Sequence, residues 1–190
     1  MKIYEKYKDN GDVHWNWYNN DLEYKKWVDY IIGIFPFEGS VLDVGCGDGL
    51  WSNKLFERGL NTVGIDSSEY GIRIAREKNN NIDFNVCEVE MFSKFSTDKQ
   101  FDVCLATEVI EHLKNPESLV QLFDKHIKDY IVLTTPDHDL NKRHSPNHYR
   151  EHTKNEIKKL FGAYDVKFIG DTGLSGQWSE YQTIIAIIKK

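Results

Sequence analysis

The segment TEVIEHL at 107–113 concentrates two carboxylates and an imidazole. Glu108, Glu111 and His112 stand at positions i, i+3 and i+4, so a helical conformation would place all three side chains on one face. Such a face could hold a divalent metal ion. Without a metal, an imidazole in this position is a candidate general base for proton abstraction.

Further imidazoles follow in the stretch TTPDHDLNKRHSPNHYREHT at 134–153. Four histidines there could complete a ligand set or act as bases: His138, His144, His148 and His152. The sequence leaves three interpretations open for these side chains. In these interpretations the side chains form, respectively, a metal site, a metal-free active site or a purely structural cluster.

A glycine-rich turn is the strongest local signal in the chain. Residues 41–49 read VLDVGCGDG, a buried strand followed by Gly45, Gly47 and Gly49. Glycines permit a tight turn and let a ligand approach the backbone. The nicotinamide fingerprint GxGxxG fails because Leu50 occupies its last position, and no Walker A Gly-Lys-Ser/Thr is present.

The next strand ends in Asp66, at a distance downstream where a carboxylate can accept hydrogen bonds from two ribose hydroxyls. Together with the glycine turn, this acidic residue indicates a nucleoside ligand. A generic glycine turn and a helix-capping aspartate are the alternatives.

The elements that must position these residues alternate regularly. Apolar runs of strand length are SVLDVG (40–45), NTVGID (61–66), IDFNVC (82–87), FDVCLAT (101–107) and YIVLTT (130–135). They are apolar on both faces, as in a buried parallel sheet. Helical patterns fall between them at 50–59, 69–79 and 116–127, with Ser67 and Ser68 as possible caps, and an extra helix at 21–35.

This alternation predicts an α/β fold with a doubly wound, mostly parallel, seven-stranded sheet. The runs DVKFIG (165–170) and QTIIAIIKK (182–190) lack a helical pattern between them and predict a C-terminal antiparallel hairpin. We expect one domain over 1–190, with an N-terminal arm and helix at 1–39 as a substrate lid and a catalytic core at 40–190.

Composition narrows the function classes. The 190 residues are 40% hydrophobic and 28% charged, which excludes a disordered chain. A net charge of -6 argues against nucleic-acid binding through neutralised phosphates, although a local basic patch stays open. Cys46, Cys87 and Cys104 form no CxxC pair, and no apolar run approaches membrane-spanning length. We expect a cytoplasmic protein without a membrane partner.

VLDVGCGDG followed by GIDSS resembles the S-adenosylmethionine-binding half of the class I methyltransferases, and the likeness extends through most of residues 40–160. The resemblance implies that Asp43 and the loop backbone face the methionine end of the cofactor, that Asp66 holds the ribose and that Glu88 contacts the adenine. The family more often has Asp at this last position. The full implied cofactor set is Asp43, Gly45, Cys46, Gly47, Asp66, Ser67, Glu88, Val89 and Thr107.

EVIEH, TTPD and HYREHT together also resemble the metal-dependent small-RNA 3′-terminal 2′-O-methyltransferases. That resemblance implies a metal site made of Glu108, Glu111, His112 and His148. Two imidazoles with two carboxylates suit Mn, Fe, Co, Ni or Zn better than Mg. The acidic chain departs from this family, as does His152, which stands where the family has Trp.

Metal-independent small-molecule methyltransferases also contain Glu-His and His-x-Arg-Glu-x-Thr strings. In that interpretation His112 and His148 are the candidate bases and Glu111 belongs to the catalytic set. Aromatic side chains in VHWNWY (13–18) and Trp178 in the loop 170–178 could cover the acceptor, and Arg143 and Arg150 could hold its anionic group.

We therefore expect methyl transfer from S-adenosylmethionine to a hydroxyl of a small metabolite or of a sugar or surface-glycan precursor. The alternatives are a metal-dependent RNA 2′-O-methyltransferase and a nucleoside-binding regulatory module without catalysis. An NAD-dependent reductase is disfavoured by Leu50. The sequence does not fix the oligomeric state.

Overall fold

A computed structural model describes residues 6–34, 39–95, 98–141, 145–169 and 182–190. These residues form a seven-stranded sheet in the order β3-β2-β1-β4-β5-β7-β6. The strands are β1 (Ser40–Val44), β2 (Asn61–Asp66), β3 (Asp83–Val86), β4 (Phe101–Thr107), β5 (Ile127–Pro136), β6 (Asp165–Ile169) and β7 (Thr183–Lys189). The helices are α1 (Lys6–Asn10), α2 (Val13–Asn20), α3 (Leu22–Ile34), α4 (Leu50–Glu57), α5 (Glu69–Lys78), α6 (Val89–Phe95), α7 (Glu117–His126) and α8 (Lys154–Leu160).

The first five strands are parallel, as the sequence predicts. Alternate residues of one strand face opposite layers. Leu42 and Val44 pack with α7 and α8, whereas Val41 packs with α3 and α4. Helices on both faces therefore bury the central strands, which explains their continuous apolar character.

The expected C-terminal hairpin is present. β6 and β7 pair antiparallel, and β7 also pairs antiparallel with β5. The returning strand β7 therefore lies between β5 and β6.

Two expectations about local structure were wrong. The run 82–87 was expected to be apolar on both faces, but β3 is an edge strand in which only Phe84 is buried. Val86 is 46% exposed, and among the described strands β3 pairs only with β2. The aromatic segment 13–18, expected ahead of the first helix, lies inside α2.

Among the described residues, no helix is long and apolar enough to cross a bilayer.

Candidate functional site

The glycine-rich loop connects β1 to α4 at the carboxyl end of the sheet. The backbone N–H groups of Gly45 and Cys46 both donate to the carbonyl of Ile65, at 2.8 and 3.0 Å, so the loop is tied to β2. Gly45 and Gly47 have φ of +71° and +54°, which L side chains rarely adopt. A Cβ at Gly47 would also lie 1.9 Å from the Tyr7 hydroxyl, so this position requires glycine.

Asp43 lies at the end of β1, directly below the loop. Its side chain is fully buried, and Oδ2 accepts a hydrogen bond from the Ser52 hydroxyl at 2.5 Å. Oδ1 has no hydrogen-bond partner within the described part of the chain. Burial raises the pKa of Asp43 to about 7. A buried acceptor without a donor is unfavourable, so this atom fits a donor brought by a ligand.

Asp66 lies at the end of β2 and organises the same loop. Oδ2 accepts from the Gly47 N–H at 2.9 Å, and Oδ1 accepts from the Ser68 N–H at 2.7 Å. Burial raises the pKa of Asp66. Each carboxylate oxygen can accept a second hydrogen bond, so backbone binding and ribose binding are compatible.

The remaining predicted cofactor residues lie at the same end of the sheet in different environments. Cys46, Val89 and Thr107 are buried, whereas Ser67 and Glu88 are exposed. Glu88 follows the edge strand β3, where an exposed carboxylate is open to a ligand. Ser68 caps α5 by accepting from the Gly71 N–H at 3.1 Å, as predicted.

Sequence analysis missed the contact between the N-terminal arm and the glycine loop. Asp48 is fully buried in the loop. Its carboxylate accepts from the backbone N–H of His14 at 2.8 Å and contacts the His14 ring at 3.1 Å, and its carbonyl accepts from the Trp15 indole at 2.9 Å. The arm is therefore anchored on the cofactor side. The only sequence signal was an aspartate inside the glycine turn.

Lys6 extends the same contact. Its Nζ lies 2.6 Å from Nε2 of His14. Burial lowers the pKa of Lys6 to about 8, against the opposing effect of Asp48, Asp66 and Glu108. The Lys6 side chain of the N-terminal arm therefore lies near the carboxylates at the carboxyl end of the sheet.

The segment after β4 does not form the expected α-helix. Only Ile110–His112 forms a single 3-10 turn, and Glu108 has a left-handed φ of +53°. The Glu108 N–H donates to the Thr134 carbonyl at 3.0 Å, and its Oε1 accepts from the Thr134 hydroxyl at 3.0 Å. Glu108 is thus held toward β5 by continued strand pairing, and burial raises its pKa to about 7.

Three of the four predicted metal-site residues come together. One ligand atom each from Glu111, His112 and His148 lies within 4.8 Å of the others, and Glu108 is not part of this set. The rings of His112 and His148 meet edge to face with centroids 4.8 Å apart. The sequence spacing grouped Glu111 with His112, and the family resemblance added His148. The three residues meet although the segment after β4 is not an α-helix.

Backbone hydrogen bonds bring the two histidines together across the sequence. The Glu111 carbonyl accepts from the N–H groups of Tyr149 and Arg150 at 2.9 and 3.3 Å. Nδ1 of His112 lies 3.3 Å from the Asn147 carbonyl. The segment after β5 is thereby fastened to the turn after β4.

The electrostatics of the cluster favour neutral forms. Glu111 is fully buried, and burial together with Glu108 raises its pKa well above the usual value. Its Oε2 accepts from the Thr135 hydroxyl at 2.9 Å, while Oε1 has no partner among the described residues. Burial lowers the pKa of His112 to about 4, so this imidazole is neutral at neutral pH.

A cavity of about 460 Å³ adjoins the cluster and is lined by His148 and Glu151, among others. Nδ1 of His148 lies 2.9 Å from Oε1 of Glu151, a contact that sequence analysis did not predict. At the cavity margin, Arg150 pairs with Glu156. Arg143, His144 and the loop 170–178 with Trp178 lie outside the described residues.

Comparison with known proteins identifies the family. Residues 17–167 match a family model described as a methyltransferase domain. The chain belongs to this methyltransferase family. The predicted class I S-adenosylmethionine-dependent methyltransferase is thereby confirmed at the level of family and fold.

The chain has relatives of known name. It is 35% identical over 122 residues to a ubiquinone biosynthesis O-methyltransferase of Azoarcus sp., covering 58% of this chain and 52% of the relative. It is 29% identical over 127 residues to the protein of the same name from Nitrosomonas europaea, covering 60% and 53%. The chain spans about half the length of these curated relatives.

Solved structures share the fold of the methyltransferase. Magnesium protoporphyrin IX methyltransferase from Synechocystis PCC 6803, solved with bound S-adenosylhomocysteine, aligns with a TM-score of 0.73 at 17% identity, covering 98% of this chain and 97% of that one. The 1,6-didemethyltoxoflavin-N1-methyltransferase of Burkholderia thailandensis aligns with a TM-score of 0.71 at 18% identity, covering 98% and 84%.

Proposed function

We propose that this methyltransferase transfers the methyl group of S-adenosylmethionine to a hydroxyl of a small molecule. The observation that carries the proposal is the cluster formed by Glu111 and His112, which follow β4, and His148, which follows β5. It lies at the same end of the sheet as the glycine loop after β1. In a parallel sheet, ligands bind at the carboxyl ends of adjacent strands where the chain order reverses. β1 and β4 are such a pair.

The residues present fit the cofactor. Oδ1 of Asp43, which no donor among the described residues contacts, is a buried acceptor for an ammonium group, and Asp66 retains capacity for two ribose hydroxyls. The glycine loop leaves its backbone open to close approach because Cβ atoms are absent. When bound, S-adenosylmethionine supplies an electrophilic methyl group on a sulfonium, which is a good leaving group.

A neutral hydroxyl is a poor nucleophile, so the chain must help to remove its proton. In this proposal the acceptor O–H bond breaks and the proton passes to an imidazole nitrogen of His148. The new O–C bond forms as the C–S bond breaks, and the sulfur keeps the bonding pair. Burial lowers the pKa of His112 to about 4, so this ring is a weak base, and it packs against His148.

Relatives named O-methyltransferases support a hydroxyl acceptor on a small molecule. An aromatic hydroxyl is one candidate, and a sugar or surface-glycan precursor is another. The net charge of -6 counts against an RNA acceptor.

The test is production of S-adenosylhomocysteine with a panel of acceptors: 3,4-dihydroxybenzoate, a simple glucoside and a short single-stranded RNA. We expect turnover with a small hydroxyl compound and its loss in His148→Gln. His126→Gln is the matched control, because His126 lies at the end of α7 and its Nδ1 contacts the Lys99 carbonyl. Turnover with RNA alone would favour the RNA alternative, and cofactor binding without turnover on any acceptor would favour the regulatory module.

A divalent ion at Glu111, His112 and His148 is a second proposal for the same cluster. It is supported by the closeness of the three ligand atoms and by the unpartnered buried Oε1 of Glu111. Such an ion would lower the pKa of a bound hydroxyl. Calorimetric titration of chelator-treated protein with Mn²⁺ or Zn²⁺ should show one site that Glu111→Gln removes. If neither Mn²⁺ nor Zn²⁺ binds, the proposed ion is wrong and the metal-free active site is the remaining interpretation.

A further inference from the structure

We infer that Glu151 is a positioning residue that fixes the ring of His148, holding its Nδ1 protonated and directing Nε2 to the reacting side of the cluster. The inference rests on the proposed function, in which His148 meets the acceptor. It assigns a role to a residue that the active-site proposal does not use. The positioning role of Glu151 is the same whether Nε2 of His148 acts as a base or as a metal ligand.

The contact between the two side chains is short and shielded. Oε1 of Glu151 lies 2.9 Å from Nδ1 of His148, and their side chains are 2% and 13% exposed. An ionised carboxylate only accepts hydrogen bonds, so the nitrogen facing it must carry the proton. This leaves Nε2 as the nitrogen that can present a lone pair.

Glu151 is itself held in place. The same Oε1 accepts the backbone N–H of Ser145 at 3.0 Å. The N–H groups of Tyr149 and Arg150, between His148 and Glu151, bind the Glu111 carbonyl. The carboxylate and the imidazole are therefore attached to the turn that carries the rest of the cluster, and the ring cannot rotate without breaking this contact.

The His148 ring also contacts the functional cluster. The ring packs edge to face against His112, and one of its nitrogens is the ligand atom grouped with Glu111 and His112. Since Nδ1 is engaged by Glu151, Nε2 is the nitrogen available to the cluster. A carboxylate behind a functional imidazole fixes the tautomer and ring orientation, and its removal commonly lowers activity or metal affinity by about 10- to 100-fold.

The test uses the whole chain and variants that differ in hydrogen-bonding ability at one position. Glu151→Met keeps the approximate length of the side chain and removes the acceptor. Glu151→Gln retains an amide oxygen that can accept from both Ser145 and His148. Glu156→Met is the control for the spectra: it deletes a glutamate of the α8 capping box that pairs with Arg150.

The first measurement is the long-range ¹H–¹⁵N spectrum of the histidine rings at one fixed pH, with His148→Gln used for assignment. We expect wild-type His148 to show the Nδ1–H tautomer, Glu151→Met to lose it, and Glu151→Gln and Glu156→Met to keep it. A wild-type ring protonated on Nε2 would overturn the inference, even if Glu151→Met fails to fold. So would an unchanged tautomer in Glu151→Met.

The second measurement is turnover with the acceptor identified above. Glu151→Met should lower kcat by about 10- to 100-fold, with KM and S-adenosylhomocysteine affinity within a few-fold of wild type, and Glu151→Gln should restore most of kcat. A merely structural glutamate would lower stability in both variants without this split, which would refute a positioning role. If the tautomer behaves as expected but wild type methylates nothing, the proposed function fails while the spectra still support the placement of His148.

Discussion

Replacement of Asp43 by Asn should make the ligand-free protein more stable at alkaline pH and weaken its cofactor binding. The carboxyl group is fully buried, one oxygen accepts from Ser52 and the other has no partner within the described residues. Ionising such a group is unfavourable because burial removes its hydration. Asn has nearly the same shape, keeps an acceptor for Ser52 and carries no charge.

The magnitude follows from the pKa. Burial raises the pKa of Asp43 from the ordinary 3.8 to about 7. The folded protein therefore holds a proton that the unfolded chain has lost, and the free energy of unfolding falls as pH rises through this window. A shift of about three units corresponds to about 4 kcal/mol above the window, at 1.36 kcal/mol per unit. An unsatisfied buried amide N–H₂ offsets about 1–3 kcal/mol of this, leaving a net gain of about 1–3 kcal/mol.

The assay is urea denaturation of both proteins at acidic and mildly alkaline pH. Glu108 and Glu111 also have raised pKa values and contribute a decline of the same sign in both proteins, so the difference between the two curves isolates Asp43. Calorimetry should show about tenfold or greater loss of S-adenosylhomocysteine affinity in the variant, as expected for a hydrogen bond to a charged group. A variant that is less stable at alkaline pH, with the wild-type dependence on pH, would refute the reasoning.

Three further substitutions give separate expectations. Asp66→Asn should weaken S-adenosylhomocysteine binding by roughly 1.5–3 kcal/mol in calorimetry; unchanged affinity would remove Asp66 from the ribose site. Gly47→Ala should lower the free energy of unfolding by about 1–2 kcal/mol because of its left-handed φ. A smaller loss in a Tyr7→Ala background would show the part that comes from the contact of the new Cβ with the Tyr7 hydroxyl. An unchanged free energy of unfolding would contradict the loop geometry. Lys128 and the Ser40 backbone and hydroxyl hold the pKa of Asp102 at about 2. Asp102→Asn should therefore lower the free energy of unfolding by about 1 kcal/mol at neutral pH, a value discounted because the carboxylate is partly exposed. The difference in stability between wild type and variant should vanish as pH falls from the ordinary pKa of 3.8 through 2. A difference that persists in acid in urea denaturation would point to another cause.

The fold was predictable because apolar strand patterns and helical patterns are both local features of the sequence. Alternation of apolar strands with helical patterns predicted the parallel sheet, and the boundaries of β2 and β4 agree with the sequence. The exposed face of β3 that carries Asp83 and Asn85 was predictable, because polar residues alternate with apolar ones in 82–87. The exposure of Val86 was not, because it depends on the position of β3 at the edge of the sheet.

The placement of the loop residues was predictable because they lie at the carboxyl ends of adjacent parallel strands. The glycine loop with Asp43 and Asp66 lies as the strand pattern requires. Glu108 does not adopt the helical conformation considered for it, because its N–H donates to the Thr134 carbonyl and its φ is left-handed. The role of Asp48 and the contact of Glu151 with His148 depend on where separate segments meet, which residue spacing does not encode.

The placement of β7 between β5 and β6 has a consequence for the order of folding. β6 pairs only with β7 among the described strands, yet β6 is synthesised first. Until the later strand arrives, β5 presents an unpaired edge and β6 has no place in the sheet. Such an exposed edge can pair with another chain, so the interval between synthesis of β5 and insertion of β7 is when the nascent protein is most exposed to misassembly.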